Sequence, residues 1–378
     1  MRISEMTTLR IGGEATTVVE ARTEQELIDA VRTADESGSP LLVLGGGSNL
    51  VASDAPFEGT VVRVLDPEGP AAVTTSCESS SQGAALAAVG TGAGGIAPVP
   101  TEAACGGALV THFAGVSWDR AVAEAVARDL IGVEALSGIP GSVGATPVQN
   151  VGAYGQEVAQ TIWSVRTWDR HENAVRTFAN VDCRFAYRDS IFKQTPYEGP
   201  AASATGRYVV LSVTFQHTIG DLSAPIRYGE LAARLGVEAG ERAPMRDVRE
   251  TVLAIRAAKG MVLIDGDHDT WSAGSFFTNP IVPDAVAASL PDGAPRFPAG
   301  DGLTKTSAAW LISRAGFDKG FSVGPRASLS TKHSLALTNR GGATAADIVE
   351  LAEAVRGGVR DVFGISLEVE PVRLGVDL

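Results

Sequence analysis

Apolar and polar positions in the N-terminal part of the chain predict two strands separated by a helix. Thr16–Glu20 is rich in β-branched residues, which favour a strand. Thr23 followed by Glu26 is the signature of a helix capping box, and Leu27 and Val31 would share one face of that helix. Pro40–Leu44 is a short apolar run that leads into glycine, as expected of a buried strand. The pattern therefore predicts a β-α-β unit whose second strand ends in a glycine loop.

Further elements are predicted from the same two periodicities. Val61–Val64 is expected to be a strand, and so is Ile365–Glu370, in which apolar and polar residues alternate. Three helices carry apolar residues at steps of three or four: Val122, Val126 and Leu130, after a Ser117 cap and before Gly132; Val248, Val252 and Ile255; and Ile348, Leu351, Val355 and Val359, after a Thr344–Asp347 cap. This mixture predicts an α+β protein whose character changes near residue 260.

Composition and charge narrow the class of protein. The 378 residues are 44% hydrophobic and 20% charged, as in a globular enzyme with two or three cores. A net charge of −13 without a basic stripe argues against nucleic-acid binding. The three scattered cysteines have no metal-ligand spacing, and no apolar run reaches the ~18 residues that a membrane span needs. We therefore expect a cytoplasmic protein with no metal site and no membrane insertion. The Ala/Gly-rich stretch 79–108 is expected to be a loop or insertion with little fixed structure.

Two glycine-rich loops are the candidates for a cofactor site. Gly45–Asn49 directly follows a predicted strand, so its main-chain N–H groups can converge on an anion, although a plain glycine turn explains this loop equally well. Gly138–Gly155 combines small residues, two prolines and almost no charge, which lets the main chain approach a flat ligand closely. A loop that only connects two elements is normally more polar. Together the two loops predict a large, phosphate-bearing cofactor.

These two loops and four other motifs resemble the UDP-N-acetylenolpyruvoylglucosamine reductase family. The resemblance lies in their sequences and in their order along the chain, and it covers nearly the whole chain. The other motifs are Thr8–Gly13, Tyr187–Lys193, Gly274–Pro280 and Leu367–Pro371. Each can occur by chance, whereas their ordered combination is specific. Tyr228 matches the subclass in which a tyrosine-bearing loop closes over the nucleotide. The stretch 79–108 departs from the family in being longer than expected.

The resemblance implies a fold, a cofactor and a substrate. The fold would be an FAD-binding fold of the vanillyl-alcohol-oxidase type, with α/β subdomains at 1–72 and 73–260, and a separate α+β substrate-binding domain at 261–363. A strand in 364–378 would return to the FAD region. FAD would be the cofactor, NADPH the reductant, and the substrate a UDP-sugar enolpyruvyl ether, handled by a monomer in peptidoglycan precursor synthesis. The expected FAD contacts are Gly45, Gly46, Gly47, Ser48, Asn49, Gly138, Ile139, Pro140, Gly141, Gly144, Gln149, Asn150, Gly152, Ala153 and Tyr154.

Three residues match the catalytic positions of the family. Arg188 would bind the substrate carboxylate through paired N–H groups while enolate charge develops, although a surface pair with Asp189 is the alternative. Ser275 would donate the proton, although a turn or cap serine would look the same in sequence. Glu370 would act with the arginine at the carboxylate end, and its alternative is a solvent-facing glutamate at a strand end.

The nucleotide end of the substrate needs cations and polar groups. Arg256 and Lys259 lie three residues apart at the end of a predicted helix, hence on neighbouring faces. Lys259 also matches a position that contacts substrate in the family. The other such positions are Tyr228, Asn279 and Lys305, with His333 as a further candidate that could equally be a structural histidine.

Two other functions compete with this interpretation. A different FAD enzyme, such as an alcohol or sugar oxidase, could use the same cofactor fold, but many of those attach the flavin through His or Cys, and neither glycine loop contains a histidine. A nucleotide-binding regulatory protein without catalysis is the second alternative. The presence of the Arg188, Ser275 and Glu370 motifs argues against it.

Overall fold

The computed structural model describes residues 1–67, 69, 72–75, 107–199 and 204–378. Most of the stretch 79–108, with Cys77 and Cys105, lies outside the described residues, so the expectation of little fixed structure stays a prediction.

The chain divides into two compact units that are each assembled from separated segments. Unit 1 contains Met1–Thr16, Gly46–Glu58 and Arg256–Leu378, and unit 2 contains Thr17–Gly45 and Gly59–Ile255. The division predicted from the sequence, with boundaries near 72, 260 and 363, stays a prediction about functional subdomains.

The elements are numbered in chain order within the described residues. The strands are β1 (Ala15–Ala21), β2 (Leu41–Leu44), β3 (Leu50–Ala52), β4 (Phe57–Val64), β5 (Ala72–Thr75), β6 (Gly107–Phe113), β7 (Leu130–Ile131), β8 (Gly152–Ala153), β9 (Gln156–Glu157), β10 (Ile162–Asp169), β11 (Ala174–Ala179), β12 (Tyr208–Ile219), β13 (Ile281–Pro283), β14 (Arg296–Pro298), β15 (Leu303–Thr306), β16 (Ala327–Leu329), β17 (Leu337–Asn339) and β18 (Val372–Leu374). The α-helices are α1 (Glu24–Glu36), α2 (Trp118–Ala127), α3 (Ile191–Gln194), α4 (Gly229–Leu235), α5 (Met245–Ala258), α6 (Asp284–Ala288), α7 (Ala308–Arg314) and α8 (Ala345–Phe363).

Unit 2 is built around an antiparallel sheet. Its strands lie in the order β11-β10-β12-β6-β5, and β7 also pairs with β12. Helix α2 packs on this sheet through Trp118, whose ring centroid lies 5.7 Å from that of Phe215 on β12. Both side chains are buried in one large apolar core, which holds α2 against the sheet.

The predicted β-α-β segment contains its three elements, but its strands are not neighbours. Thr23 begins α1 as predicted, because its hydroxyl accepts a hydrogen bond from the Glu26 amide at 3.2 Å. Leu27 and Val31 are fully buried on the inner face of the helix. In the sheet, β4 lies between β1 and β2, and β2 pairs with β4 in parallel. Strand order depends on long-range pairing, which a local pattern does not encode.

Unit 1 is organised around α8 and several small sheets. Thr344 and Asp347 form the predicted capping box at the start of α8, and Gly364 ends the helix in the left-handed conformation (φ 69°). The predicted apolar face of α8 is buried in the core of this unit, with Ile348, Leu351, Val355 and Val359 fully covered. The sheets are β13-β15-β14, β16-β17 and the parallel pair β18-β3.

Three local predictions differ from the structure. Leu130 lies in β7 rather than in the preceding helix, because α2 ends before Arg128 and Asp129 adopts a left-handed backbone (φ 56°). Ser117 precedes that helix but makes no side-chain capping hydrogen bond. Ile365–Glu370 shows the predicted alternation in burial, with Ile365 and Leu367 buried, yet its pairing is limited to an isolated bridge between Val369 and Phe277.

The predictions about membranes and cysteines concern the whole chain and can be compared with the structure only within the described residues. Within it, no helix combines the length and apolar character that crossing a bilayer requires. Cys183 is a free, buried thiol, and burial raises its pKa to about 12. Its thiolate form is therefore disfavoured at neutral pH.

Candidate active site

The first glycine loop is held against the N-terminal segment of unit 1. Gly47 has a left-handed backbone (φ 58°), and a Cβ at this position would lie 2.1 Å from the carbonyl oxygen of Met6. The Thr8 amide donates a hydrogen bond to the Gly47 carbonyl at 3.1 Å. Only glycine satisfies both the conformation and the close approach. The shape of this loop therefore depends on the residue type at position 47.

The start of the first loop and the second loop approach each other within unit 2. A Cβ on Gly45 would lie 2.2 Å from the hydroxyl oxygen of Ser142. On the other side of the second loop, a Cβ on Gly144 would lie 2.5 Å from the Cβ of Ala114. The amide of Gly144 also donates to the Ala114 carbonyl at 2.8 Å. Both glycines therefore allow main chain to pack where a side chain would not fit.

An ion pair anchors the beginning of the second loop. Asp119, in the first turn of α2, accepts a hydrogen bond from the Gly138 amide at 2.6 Å. The same carboxylate pairs with both terminal nitrogens of Arg249 at 2.7 and 2.9 Å. Because paired N–H groups fix a carboxylate in orientation as well as in distance, Arg249 holds Asp119 in position for Gly138.

The Asn150 side chain binds the second loop to neighbouring segments of the chain. Its side chain is buried and donates to the Glu157 carboxylate at 2.8 Å and to the Ala186 carbonyl at 3.1 Å, while its oxygen accepts from the Ala159 amide at 3.1 Å. The backbone of Asn150 is left-handed (φ 45°), a conformation that asparagine tolerates. These bonds fix the shape of the loop at Asn150, and its predicted contact with FAD stays a prediction.

Arg188 contacts the end of the second loop. Its Nη2 donates to the Gly152 carbonyl at 2.8 Å, and its guanidinium carbon lies 5.5 Å from the ring centre of Tyr187. The neighbouring Asp189 carboxylate accepts instead from the Ser190 amide and from the Gln194 side chain, at 2.9 and 2.5 Å. These contacts account for Asp189 without Arg188, which weakens the alternative of a surface ion pair between the two.

Ser275 and Glu370 come together within unit 1. The segment after Ser275 pairs with the segment around Glu370: the Glu370 amide donates to the Phe276 carbonyl at 2.9 Å, and the Thr278 amide donates to the Glu368 carbonyl at 3.0 Å. Phe276 is fully buried, whereas Ser275 and Glu370 are half-buried. The first loop joins this region, because the Val372 amide donates to the Asn49 carbonyl at 2.9 Å.

The catalytic candidates are therefore distributed over both units. Ser275 and Glu370 belong to unit 1 with Gly46–Asn49, whereas Arg188 belongs to unit 2 with Gly138–Gly155. In unit 2, Arg188 contacts the main chain of the second glycine-rich loop directly. In unit 1, the first loop is bonded to Val372, two residues after Glu370.

A group of basic residues surrounds His333 in unit 1. Burial and the positive charges of Lys259, Lys319 and Arg256 lower the pKa of His333 from 6.5 to about 4. His333 is therefore neutral at pH 7. Arg256 is buried and donates to the Met261 carbonyl at 2.9 Å. Two of the sequence candidates for the UDP diphosphate, Arg256 and Lys259, thus lie near the third, His333.

The remaining substrate candidates occupy separate places. Tyr228 precedes α4 in unit 2, is 42% exposed, and meets the ring of Tyr154 edge-on at a centroid distance of 5.3 Å. Asn279 accepts a hydrogen bond from the Ala308 amide at 2.9 Å through its side-chain oxygen, next to the first turn of α7. Lys305 lies in the central strand of the sheet β13-β15-β14, between Ile281 and Phe297.

Two residues at these sites were missed by sequence reasoning. Lys319, beside His333, lies in a glycine-containing loop and carries no motif that could have identified it. Glu134 is a fully buried acid in unit 2. Its signal was present, because it is the only charge in the otherwise apolar segment Leu130–Leu136.

The residues present fit an FAD site. A flavin and its diphosphate need main chain that approaches closely without side chains in the way. Gly45, Gly47 and Gly144 each leave no room for a Cβ, and no charged residue occurs between positions 138 and 155. Among the described residues, no cluster of three potential metal ligands is present.

Two protein-family models match the chain. The C-terminal domain of UDP-N-acetylenolpyruvoylglucosamine reductase matches residues 267–374, and an FAD binding domain matches residues 15–68 and 102–177. The chain is 53% identical to the UDP-N-acetylenolpyruvoylglucosamine reductase of Cutibacterium acnes, over 99% of this chain and 89% of the relative. It is 49% identical to that of Streptomyces avermitilis, over 100% of this chain and 94% of the relative.

A solved structure shares the fold. The UDP-N-acetylenolpyruvylglucosamine reductase of Thermus caldophilus aligns over 99% of this chain and 97% of its own, with a TM-score of 0.59 and 21% identity. Together with the family models, this likeness confirms the predicted fold class, an FAD-binding fold joined to a separate substrate domain. FAD is therefore the cofactor of the chain, and NADPH is the reductant of its family. The chain belongs to the UDP-N-acetylenolpyruvoylglucosamine reductase family of FAD-dependent oxidoreductases, which act in peptidoglycan synthesis.

Proposed function

We propose that this chain uses NADPH to reduce UDP-N-acetylglucosamine enolpyruvate to UDP-N-acetylmuramate. The chain is 53% identical, over nearly its whole length, to a protein named UDP-N-acetylenolpyruvoylglucosamine reductase, and this identity carries the proposal. When bound, FAD supplies hydride that it has accepted from NADPH. The protein would work as a cytoplasmic monomer on this UDP-sugar, and Tyr228 would assign it to the subclass with a tyrosine-bearing loop.

Arg188 would act on the carboxylate of the enolpyruvyl group. When hydride reaches one carbon of the double bond, negative charge develops on the other carbon and spreads into the carboxylate as an enolate. A guanidinium remains charged at any working pH and favours this charge through paired N–H groups. The hydrogen bond from Arg188 to the Gly152 carbonyl supports this role, because it restrains the guanidinium at the FAD loop. Glu370 would act with the arginine at the same end of the substrate.

Ser275 would complete the reaction by giving its hydroxyl proton to the enolate carbon next to the carboxylate. A serine hydroxyl is a weak acid, so the proton transfer needs an excess of negative charge on the substrate and a site with little water. The buried Phe276 and Phe277 that follow Ser275 support such a site. The backbone hydrogen bond between Glu370 and Phe276 further links the two catalytic candidates of unit 1.

Substrate-dependent NADPH oxidation tests the function. Purified holoenzyme should oxidise NADPH when UDP-N-acetylglucosamine enolpyruvate is added and should form UDP-N-acetylmuramate in equal amount. UDP-N-acetylglucosamine without the enolpyruvyl group is the matched control, and it should give no oxidation above background. Oxidation that is the same with both nucleotides would mean that the chain is a different flavoenzyme. Flavin released by acid precipitation into the supernatant would separate it from oxidases that bind the flavin covalently.

A further inference from the structure

Glu134 is a buried acid for which the proposed chemistry has no use. Its side chain is fully covered, and in the described chain its carboxylate is satisfied by neutral donors. The Gly132 amide donates to Oε2 at 2.7 Å, while the Gln156 side chain and the Ala224 amide donate to Oε1 at 2.9 and 2.6 Å. A buried charge is tolerated only when such bonds replace its hydration. Three separate segments of unit 2 therefore meet at one carboxylate.

Gln156 connects this carboxylate to the hairpin that carries Tyr154. Its side-chain oxygen accepts from the Ala135 amide at 2.8 Å while its nitrogen donates to Glu134, so the amide is fixed at both ends. Gln156 also pairs with Ala153 in the hairpin β8-β9. The turn of this hairpin is Tyr154–Gly155, in which both residues have positive φ angles of 50° and 85°. The bonds of Gln156 therefore restrain the hairpin directly beside the turn that carries Tyr154.

Ala224 connects the same carboxylate to the segment that carries Tyr228. Farther along this segment, Ile226 exchanges main-chain hydrogen bonds with Glu241 and Gly240, at 2.8 and 2.7 Å. Tyr228 follows and contacts Tyr154 edge-on. The hairpin and the segment also meet at Gly155, where a Cβ would lie 3.2 Å from the Cβ of Arg227. Glu134 is thus bonded to both segments, two residues from Tyr154 on one side and four residues from Tyr228 on the other.

We infer that Glu134 is a positioning residue that holds the Tyr228 segment in register with the Tyr154 hairpin. It acts on substrate binding through Tyr228, and in this respect the inference rests on the proposed function. Since Tyr228 would contact the nucleotide rather than the reacting double bond, a displaced segment weakens binding before and during the reaction equally. The hydrogen bond from the Ala224 amide to Glu134 tethers the Tyr228 segment. Loss of this tether should therefore raise KM and leave kcat unchanged.

An exchange of the two side chains cuts this tether selectively. In Glu134→Gln combined with Gln156→Glu, the new amide at position 134 can accept from Gly132 and donate to the new carboxylate at position 156. That carboxylate can still accept from the Ala135 amide. The total charge is unchanged, but the Ala224 amide loses its acceptor, because a nitrogen now occupies the place of Oε1. Val165→Ala, a truncation in the buried face of β10, is the control for a general loss of stability.

Two measurements on the holoenzymes test the inference. Calorimetric titration with UDP-N-acetylglucosamine enolpyruvate should give a Kd about tenfold higher for the exchanged pair, as expected for a buried amide left without its acceptor. Hydrogen exchange of the peptide that contains Ala224 should be faster by about the same factor. FAD content, kcat and the rate of flavin reduction by NADPH should equal those of the wild type. Val165→Ala, at a comparable fall in Tm, should change neither the Kd nor the exchange of that peptide.

Three results would overturn the inference: an unchanged Kd, unchanged exchange at Ala224, or a loss of FAD and kcat together, which indicates a purely structural role. Failure of the proposed function has a different signature. In that case the wild-type enzyme would bind the nucleotide without oxidising NADPH, or would not bind it at all. Exchange at Ala224 would still report whether Glu134 holds this segment.

Discussion

The main-chain amide of Glu370 donates a hydrogen bond to the carbonyl oxygen of Phe276 at 2.9 Å. This bond ties the C-terminal segment to the residue that follows Ser275, so the proposed proton donor, Ser275, and the catalytic candidate Glu370 share one short stretch of pairing. Neither segment forms a regular strand there, and a few hydrogen bonds and a single bridge hold them together. This pairing therefore places the main chain of Ser275 next to that of Glu370.

Ser275→Ala should separate the two halves of the reaction. Flavin reduction by NADPH should be unchanged, whereas reoxidation by the enolpyruvyl nucleotide should slow by about 10²- to 10⁴-fold, the usual contribution of a positioned acid. Stopped-flow absorbance of the flavin measures both rates. The exposed Ser366 offers a matched control, because Ser366→Ala should alter neither rate. Unaltered reoxidation in Ser275→Ala would remove the serine from the mechanism.

Arg188→Lys should lower kcat by about 10²-fold although it keeps the positive charge. An ammonium cannot offer the paired, planar N–H groups that bind a carboxylate and also reach the Gly152 carbonyl. Steady-state kinetics with the enolpyruvyl nucleotide would show the loss in kcat, while flavin reduction by NADPH stays normal. Arg184→Lys, at an exposed position with a similar left-handed backbone, is the control. Equal kcat values for Arg188→Lys and the wild type would mean that charge alone suffices, or that Arg188 has another role.

Gly45→Ala should reduce the FAD content of the purified protein, and a second substitution should partly restore it. The new methyl group would overlap the Ser142 hydroxyl, which lies 2.2 Å from the Cβ position. Ser142→Ala removes that oxygen and leaves the Ser142 Cβ at 3.1 Å, a contact that a small shift can relieve. The ratio of flavin absorbance to protein absorbance measures occupancy. If the double variant holds no more FAD than Gly45→Ala, the contact between the two loops is not what limits binding.

Acid should destabilise unit 2 through His112. Burial, followed by the charges of His217, Arg120 and Arg128, lowers the pKa of His112 from 6.5 to about 4. Between these pH values the unfolded chain binds a proton that the folded chain does not, so the free energy of unfolding falls as the pH falls from about 6.5 to about 4. The full effect would be about 3 kcal/mol, and it is absent above the unfolded pKa.

Urea unfolding at pH 7 and at pH 5 measures this effect. His112→Gln should lose less stability between the two pH values than the wild type, because the titrating group is gone. His171→Gln, at an exposed position, should behave like the wild type. A pH dependence that is the same for His112→Gln and the wild type would assign the acid sensitivity to other groups, such as His217, whose pKa is also lowered by burial.

The sequence predicted the elements whose causes are local. Thr23 and the Thr344–Asp347 pair start helices where expected, because a capping side chain bonds within a few residues of itself. Prediction from the sequence failed where contacts between distant segments determine the structure. The position of β4 between β1 and β2 depends on long-range pairing, and Glu134 gains its partners from residues far along the chain. Leu130 matched the helical period, but the left-handed Asp129 had already ended the helix.

In the candidate site, too, local features could be predicted from the sequence and contacts between distant segments could not. The glycine loops were recognisable because an uncharged, glycine-rich run is unusual in itself. The contact of Tyr154 with Tyr228, and the position of Lys319 near His333, could not be inferred, because each joins residues from different segments. The ordered motifs in the sequence carried the family resemblance, and the resemblance implied the reaction class. The contacts that hold those motifs in place came only from the structure.

The parallel pairing of β18 with β3 has a consequence for the synthesis of the protein. Val372–Leu374 lies alongside Leu50–Ala52, directly after the first glycine loop, and the Ser53 amide donates to the Leu374 carbonyl at 2.8 Å. A ribosome makes the loop early and its neighbouring strand late. During translation the loop therefore lacks this neighbouring strand until at least Leu374 has been added. Ribosome-bound nascent chains that end before Val372 should retain FAD less well than the released protein.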